Sequence, residues 1–368
     1  MTRPKILWGV CGIAHGHIFR QLPLIEHFQK TCDIVIYGYG NSYDYFAKRY
    51  ANQSHITVLP VAVPFWVGNA EGLDFEATAK HPANQMNFDA INSDTMAQTI
   101  RVMGKPDLVI SDYEPVSAQY AYAHNAPLVT LDQQSKYLVG NFPEPLNGQT
   151  YRDEVMRLRM LFPKAAERLA CSFFNVAAHG HTLEDVTICP PVLGDAIMRI
   201  QRAPETGRPK LLVYLSSQQP FNQSMDEVRA VCAAVPQADF HIFAKGLPLT
   251  SSENISTYPH GDDAFFDVLA KCNGIVSTAG HSLASEAMHL GIPVYAVPLP
   301  LYEQQMNAHV IAQNGFGVSH PLLAPVLMDA FIENLPLYAA NIAADDTALL
   351  RTNGLPALVA RISRHLRP

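Results

Sequence analysis

Short apolar runs alternate with amphipathic stretches along most of the chain, a pattern typical of βαβ units and a mostly parallel sheet. The first apolar run, 5–10, ends in a glycine-containing turn, and residues 18–30 then carry apolar side chains near helical spacing. The pattern predicts strands at 5–10, 34–39, 57–60, 106–111, 128–131, 170–175, 186–189, 210–215, 240–243, 255–258, 274–277 and 294–297, and helices at 18–30, 94–103, 152–169, 225–235, 265–270, 283–290 and 304–314.

The alternation is interrupted once by a segment rich in proline, glycine and charge, residues 201–209, which is the best candidate for a linker. A chain of 368 residues is also long enough for two domains. We therefore predict an N-terminal domain (1–200), the linker (201–209), a C-terminal domain (210–345) and a helical tail (346–368) that packs back on the N-terminal domain. Two α/β domains in series imply a ligand-binding cleft between them, because open parallel sheets bind ligands beyond the carboxyl ends of their strands.

Residues 61–95 form a long stretch without a clear pattern, rich in Asn, Gly, Pro and aromatic side chains. Stretches of this length are usually functional or mobile. Two interpretations stay open: a loop that meets an acceptor, or a loop that packs over the sheet.

Composition excludes several functional classes. The chain is 48% hydrophobic and 16% charged, which is typical of a globular protein, and its net charge of −7 argues against a nucleic-acid-binding surface. The six cysteines form no C-x-x-C pair and indicate buried thiols in a reducing compartment. We find no signal peptide and no apolar run of 18 residues, so we expect a cytoplasmic protein, with contact at the inner face of the membrane left open.

The most informative stretch runs from 275 to 317. A strand ends at Ser277, a tight turn follows, and a helix starts near His281 or Ser282. Free backbone N–H groups at a helix start attract phosphate, and Gly280 lets the backbone approach the anion closely. Hydroxyl groups at Thr278 and Ser282 add donors.

This region resembles the nucleotide-sugar signature of GT-B glycosyltransferases. The shared pattern is T-A-G-H-S-L-A-S-E-A-x-x-x-G-I-P, followed by P-x-x-x-x-E-Q-x-x-N-A. It is similar to the N-acetylglucosaminyltransferase that completes lipid II and to the family 1 transferases. The resemblance implies an α/β fold of two Rossmann-like domains facing each other across a cleft. It also implies donor contacts, with Gly280, His281 and Ser282 at the diphosphate, Glu286 at the ribose, Glu303 and Gln304 at the sugar, Ser216 and Ser217 near phosphate, and the base against the loop from Tyr258 to His260.

The first half also resembles a prokaryotic branch of these enzymes, which carries a G-x-G-x-G-H-x-x-R turn and an S-D-x-E-P motif. This chain has the S-D-x-E-P motif at 111–115 and the turn from Gly12 to Arg20, but with Ala14 where the relatives usually have glycine. A histidine takes a proton at neutral pH when a carboxylate orients its other nitrogen. We therefore predict His17 as the general base oriented by Asp112, with Glu114 as a rival base. The predicted acceptor side consists of Gly12, Gly16, Arg20, Asp132 and Gln133, although for Arg20 a salt bridge within the fold is an equal alternative.

Two His-Gly-His pairs, at 15–17 and 179–181, invite a metal interpretation. Two ligands do not make a site, and no matching cysteine or carboxylate spacing supports them. We expect no metal and no cofactor, because the resemblance implies that the helix start and side chains stabilise the leaving diphosphate.

The sequence thus predicts a glycosyltransferase, and the family resemblance implies that it is metal-independent and inverts the anomeric carbon. Its partners would be a nucleotide-sugar donor, most simply a UDP-sugar, and an acceptor hydroxyl on a glycan, a glycolipid or a small molecule. Two alternatives remain at this point: a nucleotide-sugar epimerase or hydrolase of the same fold, and a non-catalytic protein that binds nucleotide sugars.

Overall fold

The computed structural model describes residues 3–69, 72–179, 184–215 and 223–366. Within these ranges the strands are β1 Lys5–Val10, β2 Asp33–Gly38, β3 Ile56–Pro60, β4 Gly68–Asn69, β5 Gly72–Leu73, β6 Leu108–Asp112, β7 Leu128–Asp132, β8 Glu167–Cys171, β9 Thr187–Cys189, β10 Lys210–Tyr214, β11 Asp239–Ala244, β12 Thr250–Ser252, β13 Ile255–Pro259, β14 Gly274–Ser277, β15 Val294–Ala296 and β16 Gly317–Ser319. The α-helices are α1 Gly16–Phe28, α2 Gly40–Arg49, α3 Phe75–Lys80, α4 Phe88–Val102, α5 Pro115–His124, α6 Arg152–Leu161, α7 Asp195–Met198, α8 Met225–Ala233, α9 Ala264–Lys271, α10 His281–Leu290, α11 Tyr302–Gln313, α12 Pro325–Glu333, α13 Leu335–Ala344 and α14 Leu355–His365, with short 3-10 helices at Pro82–Asn84 and Ser135–Leu138.

Two seven-stranded sheets share one plan. The first has the order β3-β2-β1-β6-β7-β8-β9, and the second has β12-β13-β11-β10-β14-β15-β16. All neighbours are parallel except β12, which runs antiparallel to β13. In each sheet the chain starts at a central strand, moves to one edge and then crosses over, so β1 with β6 corresponds to β10 with β14. Ligands of such sheets bind at this crossover, beyond the strand ends.

The two domains meet at the starts of helices α1 and α10. A Cβ added to Gly16 would lie 2.9 Å from Ser282 Oγ, so the two helix starts lie close together and a larger residue at position 16 would require the Ser282 side chain to move. Further contacts join the domains beside the cleft: Tyr302 Oη donates to the Pro143 carbonyl at 2.6 Å, and an aromatic cluster stacks Tyr137 and Tyr151 near Tyr302.

The chain passes between the domains twice. The first passage precedes β10, where the Arg202 guanidinium binds three carbonyls around the end of α9. The second precedes α14, which packs against α1 and buries Leu358 and Ile362 in the core of the first sheet. The passages are tied together, because Asn353 exchanges two hydrogen bonds of 3.1 Å with the Leu193 backbone.

The predicted elements fail in identifiable places. The helix predicted at 152–169 ends at Leu161, because Pro163 disfavours helical geometry in the residue before it, and residues 167–171 form β8 instead. Helices α2 and α5 were not predicted at all. Segment 61–95 contains β4, β5, α3, a 3-10 turn and the start of α4. Among the described residues, no helix is long and apolar enough to span a membrane.

Candidate active site

A buried polar cluster lies at the carboxyl ends of β1 and β6. Asp112 is fully buried and accepts from Arg20 Nη2 at 2.7 Å and 2.9 Å, from Arg20 Nε at 3.1 Å and from Gln21 Nε2 at 2.8 Å. His17 Nδ1 lies 2.9 Å from the same carboxylate. The strand order brings together these two residues, which are 95 positions apart in the chain. His17 and Asp112 therefore lie side by side, as the sequence predicts.

Two neighbours, Asp112 and Arg20, compete for the Nδ1 atom of His17, and the protonation of this atom decides which of them it binds. Arg20 Nη2 also lies 2.8 Å from Nδ1 and can only donate, whereas Asp112 can only accept. A proton on Nδ1 therefore bonds to Asp112, and its removal allows a bond from Arg20. Burial lowers the pKa of His17, but the Cys11 and Asp112 side chains outweigh burial and raise it to about 10. The pKa of Asp112 stays below its usual value because Arg20 and His17 outweigh its burial.

Glu114 has a structural role, which corrects its assignment as a rival base. Its two oxygens accept from the backbone N–H groups of Val116 and Ser117, each at 2.7 Å, and so cap the start of α5. The carboxylate is fully buried, and burial raises its pKa to about 7. A buried cap cannot reach an acceptor hydroxyl.

Other residues predicted on the acceptor side also belong to the fold. Arg20 is 6% exposed and committed to Asp112, so the salt-bridge alternative is the correct one. Asp132 is buried and accepts from Ser135 N at 2.6 Å and Ser135 Oγ at 2.9 Å, so it holds the first residue of a 3-10 helix. Gln133 is 2% exposed and accepts from a lysine on that helix, and Gly12 packs directly against the Tyr39 carbonyl. Of this set, only Gly16 lies at the domain boundary by its contacts.

The start of α10 has the geometry expected of an anion site. Ala279 has a φ of 56°, and Gly280 occupies the N-cap position with no side-chain cap. No acidic residue occurs in the first turn. Helix α1 opposite also lacks a side-chain cap and an acidic first turn, and Ala14 before it has a φ of 59°, which explains why the relatives prefer glycine there. Two positive helix ends therefore lie close together at Gly16 and Ser282.

Two predicted donor residues, Glu286 and His260, lie near a third polar residue, Tyr214. Glu286 acts electrostatically on Tyr214, and burial together with this carboxylate raises the pKa of Tyr214 to about 12. Tyr214 Oη hydrogen-bonds His260 Nε2, and the His260 ring lies 5.7 Å from the ring of His15 across the domain boundary. Burial raises the pKa of Glu286 to about 7. Tyr214 was not predicted, because a tyrosine at a strand end carries no pattern of its own.

The remaining donor residues divide into three groups. Thr278 is 5% exposed beside the turn, and Glu303 is half-buried on α11. Tyr258 and Gln304 are partly used by the fold, since Tyr258 Oη bonds His241 Nδ1 at 3.0 Å and Gln304 Oε1 accepts from Leu299 N at 3.0 Å. Ser216 and Ser217 lie outside the described residues, so their predicted role stays a prediction.

His281 turns inward at the first position of α10. It is 6% exposed, its ring lies 5.8 Å from the ring of Phe173, and its Nε2 has no partner among the described residues. Burial, followed by the charges of Lys136, Arg20 and His17, lowers its pKa well below 6.5. The imidazole is therefore neutral at neutral pH.

Within the described part of the chain, no group of three His, Cys, Asp or Glu residues is placed to hold a metal ion. The pair at 179–181 cannot be judged, because His181 lies outside the described residues. Metal independence stays a prediction.

Comparison with known proteins identifies the family. A family model described as Glycosyl transferase family 1 matches residues 4–336. The chain belongs to this family. An uncharacterized glycosyltransferase of Methanopyrus kandleri is 38% identical over 60 residues, a match that spans 16% of this chain and 17% of that relative's length.

Solved structures show that the fold of this family 1 protein is GT-B, as the sequence predicted. LpCGTa in complex with UDP matches with a TM-score of 0.67 at 14% identity, covering 100% of both chains. The kitacinnamycin glycosyltransferase matches at 0.65 and 16%, again over 100% of both chains. Phytolacca americana UGT2, complexed with UDP-2-fluoro-glucose and pterostilbene, matches at 0.65 and 12% over 99% of each chain.

Proposed function

We propose that this family 1 glycosyltransferase moves a sugar from a nucleoside diphosphate to an acceptor hydroxyl with inversion at the anomeric carbon, and that the donor is a UDP-sugar. One observation carries the proposal: the starts of α1 and α10, neither of which has a side-chain cap, lie close together at Gly16 and Ser282. Two positive helix ends in proximity repel each other, and a diphosphate bound beside both would stabilise them. The UDP ligands of LpCGTa and UGT2 support the choice of nucleotide.

In the proposed reaction, the acceptor oxygen attacks the anomeric carbon while the bond from that carbon to the diphosphate breaks. The electron pair of that bond leaves with the diphosphate, and the acceptor proton passes to His17 Nε2. Asp112 holds the proton on Nδ1 and so directs the lone pair of Nε2 toward the cleft. Because the pKa of His17 is raised, the ring must lose its own proton before each turnover.

The other donor contacts would come from residues around α10 and α11. Glu286 would accept from the ribose, Glu303 and Gln304 would hold sugar hydroxyls, and His260 would lie near the base. The acceptor is a hydroxyl on a glycan, a glycolipid or a small molecule, and the pterostilbene bound by UGT2 favours testing small molecules first. All six cysteines are buried free thiols, which suits the cytoplasm as the place of reaction.

A thermal-shift screen against nucleosides, nucleoside diphosphates and nucleotide sugars tests the donor class, since a ligand stabilises the folded state according to its affinity. We expect UDP and one UDP-sugar to raise Tm most. The stabilising donor is then incubated with an acceptor panel, and mass spectrometry of the products tests transfer. Absence of any nucleotide effect contradicts the proposal. Rapid, complete turnover of the donor without an acceptor favours the epimerase or hydrolase alternative instead.

A further inference from the structure

Lys136 is a buried cation that the sequence did not predict. It lies on the 3-10 helix Ser135–Leu138, directly after β7 at the carboxyl edge of the first sheet, and its side chain is 0% exposed. Its ammonium donates to Gln133 Oε1 and lies over two rings, 5.0 Å from the centroid of Tyr137 and 5.6 Å from that of Phe174. Among the described residues, no carboxylate lies within 4.0 Å of it.

Burial without an ion pair is expensive for an ammonium group. One amide oxygen and two aromatic faces offset only part of the lost hydration. Above all through this burial, the pKa of Lys136 is lowered to about 8, while Glu303 acts in the opposite direction. A lysine kept in such a position near a cleft is a candidate for a functional charge.

Its neighbours indicate where an opposing charge would lie. The Lys136 ammonium lies over the ring of Phe174. The adjacent residue, Phe173, contacts the ring of His281 at the start of α10. The Lys136 charge acts on the His281 ring, and the Glu303 carboxylate on α11 acts on Lys136. Lys136 thus lies within electrostatic reach of both the phosphate-binding helix start and the carboxylate assigned to the donor sugar. The group that joins those two places in a nucleotide sugar is the sugar-side phosphate.

The other cations near this point are already used. Arg20 is bound to Asp112 through both Nη2 and Nε, and His17 shares the same carboxylate. Lys136 has no ion-pair partner within 4.0 Å among the described residues, and the carboxylates that act on its charge, Glu303 and Asp132, lie farther away. We propose that Lys136 supplies, from the N-terminal domain, positive charge to the donor diphosphate, and that this charge stabilises the leaving group. This inference rests on the proposed function.

The assignment is consistent with the chemistry of the step. When the bond to the anomeric carbon breaks, the electron pair goes to the diphosphate oxygen, which gains one negative charge. A fixed ammonium in a site of low dielectric stabilises that charge without reorganisation.

The test compares binding of the best nucleoside diphosphate from the screen with binding of its parent nucleoside, by calorimetry. For Lys136→Met we expect the preference for the diphosphate to fall about 10- to 100-fold, with nucleoside affinity unchanged. Lys136→Gln is a second neutral variant with the same expectation, and Lys136→Arg should retain most of the preference. Lys164→Met, at an exposed lysine of the same domain, is the matched control and should bind as the wild type does.

Stability gives a second readout. Removal of an unpaired buried charge should leave the Tm of the ligand-free protein equal or higher. An unchanged diphosphate preference in both neutral variants overturns the inference, and so does an equal loss of nucleoside and diphosphate affinity, which indicates a structural role. If the wild-type chain binds no nucleotide at all, the proposed function itself fails.

Discussion

Helices α5 and α10 occupy equivalent positions in the two domains, but only α5 has a side-chain cap at its N-terminus. Each follows the strand beside the central one, and each start is preceded by a left-handed residue, Tyr113 at φ 57° and Ala279 at φ 56°. The next residue is the N-cap, which is Glu114 in one domain and Gly280 in the other. The first helix binds its own carboxylate, whereas the second is left without one. The same turn geometry thus occurs once with a side-chain cap and once without one, and the uncapped start is where we propose that the diphosphate binds.

Gly280→Asp should produce the largest effect, because it gives α10 the cap that α5 already has. The side chain would occupy the free N–H groups and repel a diphosphate, and we expect nucleoside diphosphate affinity to fall about 1,000-fold. Calorimetry measures the change. Gly280→Ala is the control: φ is −62° and an added Cβ meets nothing within 4 Å, so this variant should fold and bind normally. Wild-type affinity in the Asp variant would show that the anion binds elsewhere.

His17→Gln tests whether the N-terminal domain supplies the base. We expect kcat to fall about 100-fold while nucleotide affinity is retained. In the wild type, activity should rise with pH above 7, because the raised pKa keeps the ring protonated there and only the deprotonated ring acts as a base. The pH profile of kcat/KM measures this. An unchanged profile in the Gln variant would remove His17 from the mechanism.

Asp112→Asn and Thr278→Val change the equivalent positions of the two domains, each two residues before the N-cap of its helix. Loss of the buried charge leaves Arg20 without its partner, and we expect a decrease of about 3 kcal/mol in the free energy of unfolding. Thr278→Val, at the equivalent place in the second domain, should change stability by less than about 1 kcal/mol. Urea unfolding of both variants tests the contrast. Equal losses would mean that the two turns are stabilised alike.

Glu114→Ala should have a smaller effect than Asp112→Asn, a loss of about 1 kcal/mol in unfolding free energy from the missing cap, again measured with urea. Because the Glu114 site is fully buried, we expect added sulfate to raise the Tm of the variant no more than that of the wild type. A larger sulfate response in the variant would show that the start of α5 can also bind an anion from solution.

Much of the site follows from the sequence because it depends on strand ends. His17 and Asp112 each follow an apolar run, and parallel strands place such residues at one edge. The start of α10 is likewise marked by a turn and a motif. Helix α5 escaped prediction because it is apolar on nearly all sides and shows no helical period, as its buried residues from Pro115 to Ala121 illustrate. Lys136 escaped because lysine is almost always exposed, and only packing reveals its burial.

Because the chain passes between the domains twice, the N-terminal domain is built from two separate segments of the sequence. Helix α14 completes a surface of the first sheet although it follows the whole second domain in sequence. A fragment that stops at the first passage would expose the sites of Leu358 and Ile362 to water. The first domain is therefore discontinuous, and a stable isolated version would need residues 355–366 restored, for instance as a fused or added peptide.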